Sequence, residues 1–114
     1  MKSFTICIPI VPEFDMMDVA NPYEIFSWMH AFWRLPDLEL HVLLAGHEAK
    51  TSVKSFNGAE LKTHASFDEL ADRKIDVLFV PGGGDAYIKG ATSDAKLLEF
   101  VRDHAGDAQW VASV

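Results

Sequence analysis

Short apolar runs, broken by glycine, proline and charge, divide the chain into alternating strand and helix patterns. Val77, Leu78, Phe79 and Val80 form an uninterrupted β-branched and aromatic run inside IDVLFVPGGG, residues 75–84, as in a strand buried on both faces of a parallel sheet. Pro81 removes a donor and Gly82, Gly83 and Gly84 release the backbone. The carboxyl end of this strand therefore presents bare amides at the edge where open α/β sheets bind ligands. A tight turn needing positive φ accounts equally well for the glycines alone. Phe4 to Ile10, FTICIPI, stopped by Pro9 and Pro12, predicts a central first strand beside the glycine-ended one. Leu38 to Ala45 predicts another, with Glu39 and His41 alternating against apolar positions and Gly46 ending it. Trp110 to Val114, WVASV, has the pattern of a further buried strand.

Between the first two of these strands in chain order, Ile25, Phe26, Trp28, Met29, Phe32 and Trp33 recur at helical spacing. They predict a helix from Asn21 or Pro22 to about Trp33, with a broad apolar face suited to a core or a dimer interface. Asn21 before Pro22 suits an N-cap and first helical residue, with Glu24 at capping-box spacing and His30 solvated. Glu13, Asp15 and Asp18 fall in the strand-to-helix turn, where a carboxylate can cap orphan N–H groups or meet the helix dipole. Val53 to Phe56 and Ala59 to Thr63 flank Asn57-Gly58, a two-residue hairpin signal. Ser66, Asp68 and Glu69 open a short predicted helix to about Asp72. Asp94 to roughly His104 reads as an amphipathic helix with Leu97, Leu98 and Val101 inward, Phe100 helping and Gly106 terminating it.

Composition narrows the function classes. At 114 residues the chain is one domain or part of one. A net charge of −7 without a basic cluster argues against nucleic acid as a partner. Charges interrupt every apolar stretch short of a membrane span, and the N-terminus lacks a signal-peptide pattern, so a soluble cytoplasmic protein is expected. Cys7, the single cysteine, excludes an internal disulfide and reads as a small buried hydrophobe, not a nucleophile. His41, His47, His64 and His104 have no metal-ligand spacing. The run WVASV closes the chain where a doubly wound fold continues into a functional loop and covering helix. The expectation is therefore the N-terminal part of a single larger α/β domain, not stable without its remainder.

Several of these features, taken in order, resemble the ThiJ/PfpI superfamily of class I glutamine amidotransferase-like proteins. They are the first strand, Asp18-Val19-Ala20-Asn21-Pro22, the Tyr23-Glu24-Ile25-Phe26 helix start, the Asn57-Gly58 ribbon and Val80-Pro81-Gly82-Gly83-Gly84. Within the superfamily the likeness is greatest to the isonitrile hydratases. Asn21 stands where family members usually have glycine before the proline. The resemblance implies a flavodoxin-like, mostly parallel sheet, a homodimer, a small-molecule substrate, and no cofactor or metal. It implies a cysteine nucleophile at a strand-to-helix elbow just after a strand such as WVASV, beyond this sequence. Asp18 would be the acidic partner of that cysteine, handling the proton as water adds to an isocyanide to give an N-substituted formamide. Gly82, Gly83 and Gly84 would form the backbone wall, with Gly82 and Gly83 donating N–H groups to an anionic adduct. Other branches are sensor domains of transcription regulators, proteases, chaperones, or glyoxalase and deglycase enzymes, and fold-level likeness does not choose among them. Glutamate at the position of Asp18 is more usual in the deglycase branch.

Overall fold

The computed structural model describes residues 2–33 and 37–114, without the side chains of His30 and Trp33, so the roles expected of those two side chains lie outside the described residues. In chain order the elements are β1 (Lys2–Pro9), α1 (Met16–Trp33), β2 (Leu38–Gly46), β3 (Ser52–Lys54), β4 (Glu60–Lys62), β5 (Ala65–Ser66), β6 (Val77–Val80), α2 (Asp85–Thr92), α3 (Ala95–Ala105) and β7 (Trp110–Ser113). Five strands make one parallel sheet in the order β5-β2-β1-β6-β7, while β3 and β4 form a separate antiparallel ribbon. This is the mixed α/β, mostly parallel architecture that the alternating pattern predicts. β1 is central and lies beside the glycine-ended β6, with Cys7 opposite Leu43 on one side and Leu78 on the other. Covered on both faces, Ile6, Cys7, Ile8 and Ile10 are buried, which is why this stretch reads as a continuous apolar run.

The first helix begins earlier than the Asn21-Pro22 pair suggests. Its cap is Asp15, whose Oδ1 accepts from the Met17 N–H at 3.1 Å and whose carbonyl accepts from the Asp18 N–H at 3.1 Å. Pro22 therefore sits inside α1, Asn21 is no cap, and Glu24 completes no capping box. The physical reason is burial. Val19 is fully buried in the core, and a helical first turn delivers it there. That packing outweighs the helical bond that the Asp18 carbonyl forgoes to a proline nitrogen four residues on. Phe26 meets Phe79 of β6 edge to face at 6.2 Å. Ile25, Trp28 and Phe32, however, are exposed, as is Met17, and the Trp28 and Phe32 rings stack on one another at 5.1 Å. The apolar residues of α1 thus serve two faces, one on the sheet and one open.

Other differences follow the same logic. Ser66 and Glu69 exchange reciprocal bonds, Glu69 Oε1 accepting from Ser66 N–H at 2.9 Å and Ser66 Oγ from Glu69 N–H at 3.0 Å. The predicted short helix nonetheless remains a series of turns to Asp72, because few residues separate it from β6. α2 has no counterpart in the sequence expectations. In α3, capped by Asp94 Oδ1 on the Leu97 N–H at 3.1 Å, the buried residues are Leu97, Phe100 and His104. Leu98 points outward, one residue off that three-and-four spacing. β7 forms as predicted beside β6, and among the described residues its Trp110 is 69% exposed.

His104, 6% exposed, packs on Phe100 at 4.5 Å, which in turn meets Phe67 at 4.7 Å. Its Nε2 has no hydrogen-bond partner among the described residues. Burial lowers its pKa below the ordinary histidine value, against opposing contributions from Asp103, the Leu70 carbonyl and Asp107. The fold thus favours the neutral ring. His104 contributes stability that is complete above the unfolded value of about 6.5 and is lost as pH falls below it, because the unfolded chain takes the proton first. Urea midpoints measured at pH 7.5 and pH 5 should fall more for the wild type than for His104→Gln. Equal falls would show that this ring carries no such linkage.

Candidate functional site

Strand order reverses at β1. The chain steps from β1 to β2 on one side and later to β6 on the other, so the carboxyl ends of β1 and β6 flank a topological switch point, the usual ligand crevice of an open α/β sheet. The glycine loop leaves β6 there and the turn bearing Glu13, Asp15 and Asp18 leaves β1. Phe14, fully buried, bridges Ser55 on one side and Gly83 on the other. The Glu13 N–H donates to the Lys54 carbonyl at 2.9 Å and the Phe56 N–H to the Phe14 carbonyl at 3.1 Å. Glu13 is held at φ 76°, a left-handed conformation uncommon for a side chain of its size. The ribbon thus buttresses the acidic turn, and Gly58 at φ +91° makes its hairpin possible.

Gly82 is gripped by both aspartates. Its N–H donates to Asp18 Oδ2 at 3.1 Å, and its carbonyl accepts from the Asp15 N–H at 3.0 Å. A Cβ at Gly82 would stand 3.1 Å from that same Asp18 oxygen. At Gly83 a Cβ would come within 2.6 Å of Tyr87 Cβ and 3.1 Å of the Glu13 carbonyl, so close approach requires glycine. Gly84 faces open space and is the N-cap of α2, without a side-chain cap. The N–H groups that begin α2 and the positive end of its dipole lie at the end of the loop. Tyr87, 5% exposed, donates its hydroxyl to the Pro81 carbonyl at 3.1 Å. Burial raises its pKa and the Asp18 charge adds to the rise, so it stays a protonated donor.

A cleft of about 470 Å³, within the range of small-molecule sites, lies beside the loop, lined among others by Glu13, Asp15, Phe56, Gly83, Gly84 and Tyr87. Another of about 530 Å³ opens among Arg73, Lys74, Asp103, His104 and Asp107, near the chain's entry to β6, and contains none of the candidate site residues Asp18, Gly82, Gly83 and Gly84. Of those residues the fold brings Asp18 and Gly82 into contact, with Gly83 beside them and Gly84 at the start of α2. Cys7 is fully buried in β1, and burial pushes its thiol up to about 12, the Arg73 charge opposing, so it is no nucleophile. No group of three or more His, Cys, Asp or Glu side chains is placed to hold a metal among the described residues. Tyr87 and the Glu13 conformation escaped the sequence reading. An aromatic residue shortly after a glycine run is the only local sign of the first, and nothing marks the second.

Comparison with known proteins agrees with this fold. The chain is 29% identical over 105 residues to the isonitrile hydratase of Pseudomonas putida, a match covering 92% of this chain and 40% of that protein. A ThiJ/PfpI family protein from Pseudomonas syringae superposes with a TM-score of 0.81 at 26% identity, over 99% of this chain and 42% of that one. Drosophila melanogaster DJ-1beta shares the fold, with a TM-score of 0.76 at 17% identity over 97% of this chain and 55% of that one. The chain thus spans about two fifths of the length of the hydratase it matches. The family model for the DJ-1/PfpI family matches residues 4–114. The chain, with its flavodoxin-like α/β sheet, belongs to the DJ-1/PfpI family.

Proposed function

We propose that the intact protein is an isonitrile hydratase-like lyase, adding water to an isocyanide to give an N-substituted formamide, with Asp18 as its acid–base group. The observation that carries this reading is the 3.1 Å hydrogen bond from the Gly82 N–H to Asp18 Oδ2 at the switch point of the sheet. It holds a half-buried carboxylate against a backbone loop whose next two residues, Gly83 and Gly84, line the cleft. The likeness to the Pseudomonas putida hydratase supports the choice of chemistry, and the aspartate at this position agrees with it. The nucleophile in this reading is a cysteine following Val114, at the end of β7. Its thiol adds to the terminal isocyanide carbon, which gains the C–S bond and a proton. Water then adds to that carbon, the C–S bond breaks, and the nitrogen takes up a proton as the thiol is regenerated. Asp18 passes protons in both halves.

Because the Gly82 amide is committed to Asp18, Gly82 serves as the holder of the carboxylate. The donor role moves to the N–H of Gly83, helped by the uncapped start of α2. The described residues are in this reading the N-terminal part of one domain, in a cytoplasmic homodimer. The open apolar face of α1, with Met17, Ile25, Trp28 and Phe32, supports further protein packing there. No helix among the described residues is long and apolar enough to cross a membrane.

In the intact protein, Asp18→Asn should lower formamide formation by at least ~100-fold while the melting temperature stays within a few degrees. Asp15→Ala should keep turnover and lose about 1 kcal/mol of stability, since Asp15 caps α1. Turnover of Asp18→Asn equal to wild type would remove the role assigned to Asp18. A thiol alkylator should abolish turnover with Cys7 left unmodified until the protein is unfolded. Labelling confined to Cys7 in the folded protein, with turnover intact, would remove the cysteine mechanism.

A further inference from the structure

The peptide group between Pro81 and Gly82 is engaged at both of its polar ends. Its carbonyl oxygen, on Pro81, accepts from the Tyr87 hydroxyl at 3.1 Å. Its N–H, on Gly82, donates to Asp18 Oδ2 at 3.1 Å. A trans peptide is planar, so the direction of its carbonyl dictates the direction of its N–H. Fixing the oxygen therefore aims the hydrogen. A donor on the carbonyl also polarises the group and strengthens the bond that its N–H makes.

The Asp15 N–H holds the next carbonyl, on Gly82, and no side chain of the loop itself reaches the one on Pro81. Pro81 has no N–H of its own, and Gly82, Gly83 and Gly84 have no side chains with which to pack. Tyr87 provides both the hydrogen bond and the packing. It is the third residue of α2, where a helical side chain leans back toward the N-terminus and so over the glycine loop. Its ring lies so close to Gly83 that an added methyl there would come within 2.7 Å of Tyr87 Cγ.

We infer that Tyr87 is the positioning residue of the candidate site, orienting the Asp18 carboxylate through the Pro81–Gly82 peptide, its hydroxyl committed to the Pro81 carbonyl. Its effect on turnover rests on the function proposed above, whereas its effect on the Gly82 amide does not. In the intact protein Tyr87→Phe keeps the ring against Gly83 and removes only the hydroxyl. The Gly82 amide resonance should move upfield and its hydrogen exchange should quicken. kcat for formamide formation should fall about fivefold to tenfold, the effect of one neutral hydrogen bond, with KM within twofold of wild type. Tyr87→Phe added to Asp18→Asn should cost nothing further, since both act on one chain of bonds.

Gly83→Ala, which pushes the ring away, should displace the Gly82 resonance in the same sense, and Gly84→Ala, which meets open space, should not. An unchanged Gly82 amide in Tyr87→Phe would overturn the inference whatever the activity. So would a displaced amide with unchanged kcat in a turning-over enzyme. If the wild type forms no formamide while the Gly82 amide still responds to Tyr87→Phe, the hydratase reading fails and the orientation of Asp18 by Tyr87 stands.

Discussion

The carboxyl edge of the sheet depends on how closely the turn after β1 approaches the loop after β6. Gly82 marks the closest point, with one aspartate bonded to its N–H and the backbone of another to its carbonyl. This approach needs three things together. β1 and β6 must be neighbours, the loop must lack side chains at Gly82 and Gly83, and Glu13 must adopt a left-handed conformation. The β3–β4 ribbon secures the last, its Lys54 carbonyl accepting from the Glu13 N–H and its Phe56 N–H donating to the carbonyl of the buried Phe14. A ribbon apart from the main sheet thus acts on the site through the turn that it supports.

The same arrangement separates chemistry from stability. Cys7 lies only one strand from the glycine loop, yet burial holds its thiol in the protonated form and leaves it a packing residue. Asp15 spends its carboxylate on the start of α1 and its amide on Gly82. Asp18 is left with a carboxylate bonded to the loop and not to the helix cap. Two acids three residues apart acquire different tasks because one sits before the first helical turn and the other within it. At the other end of the fold, a hydrogen-bonded latch joins β1 to the entry of β6. Asp76 accepts from the Thr5 N–H at 2.8 Å, and Arg73 donates to the Thr5 hydroxyl at 3.1 Å. This latch keeps β1 and β6 adjacent without contributing to the site.

Two surfaces stay open. The outer face of α1 presents Met17, Ile25, Trp28 and Phe32, and β7 presents Trp110 and Val111. Parallel sheets are ordinarily covered on both faces, and contiguous apolar patches of this kind ordinarily mark contact with more protein.

Strand positions were largely readable from local pattern. β1 and β6 carry apolar runs at their buried centres and β2 turns apolar toward its buried end at Leu44 and Ala45, and the Asn57-Gly58 pair marks a hairpin because its turn requires positive φ at Gly58. The glycine loop and Asp18 were readable as candidates, since residue type and order suffice to single them out. Other features belonged to the tertiary structure. The start of α1 at Met16 follows from burying Val19, which outweighs the proline signal at Pro22. Leu98 turns outward because helical spacing from Leu97 and Phe100 leaves it no place inside. The exposure of Trp110 and Val111 among the described residues is likewise invisible in the apolar pattern of WVASV. Tyr87 acquires its role from a carbonyl six residues back, in a loop whose conformation the glycines leave free. The contact between Asp18 and Gly82 joins residues 64 positions apart. Propensity acts within a turn or a strand, so the sequence by itself determined most of the strands and the candidate chemistry, but not α2 or the start of α1. Strand order and packing alone decided which of those residues meet.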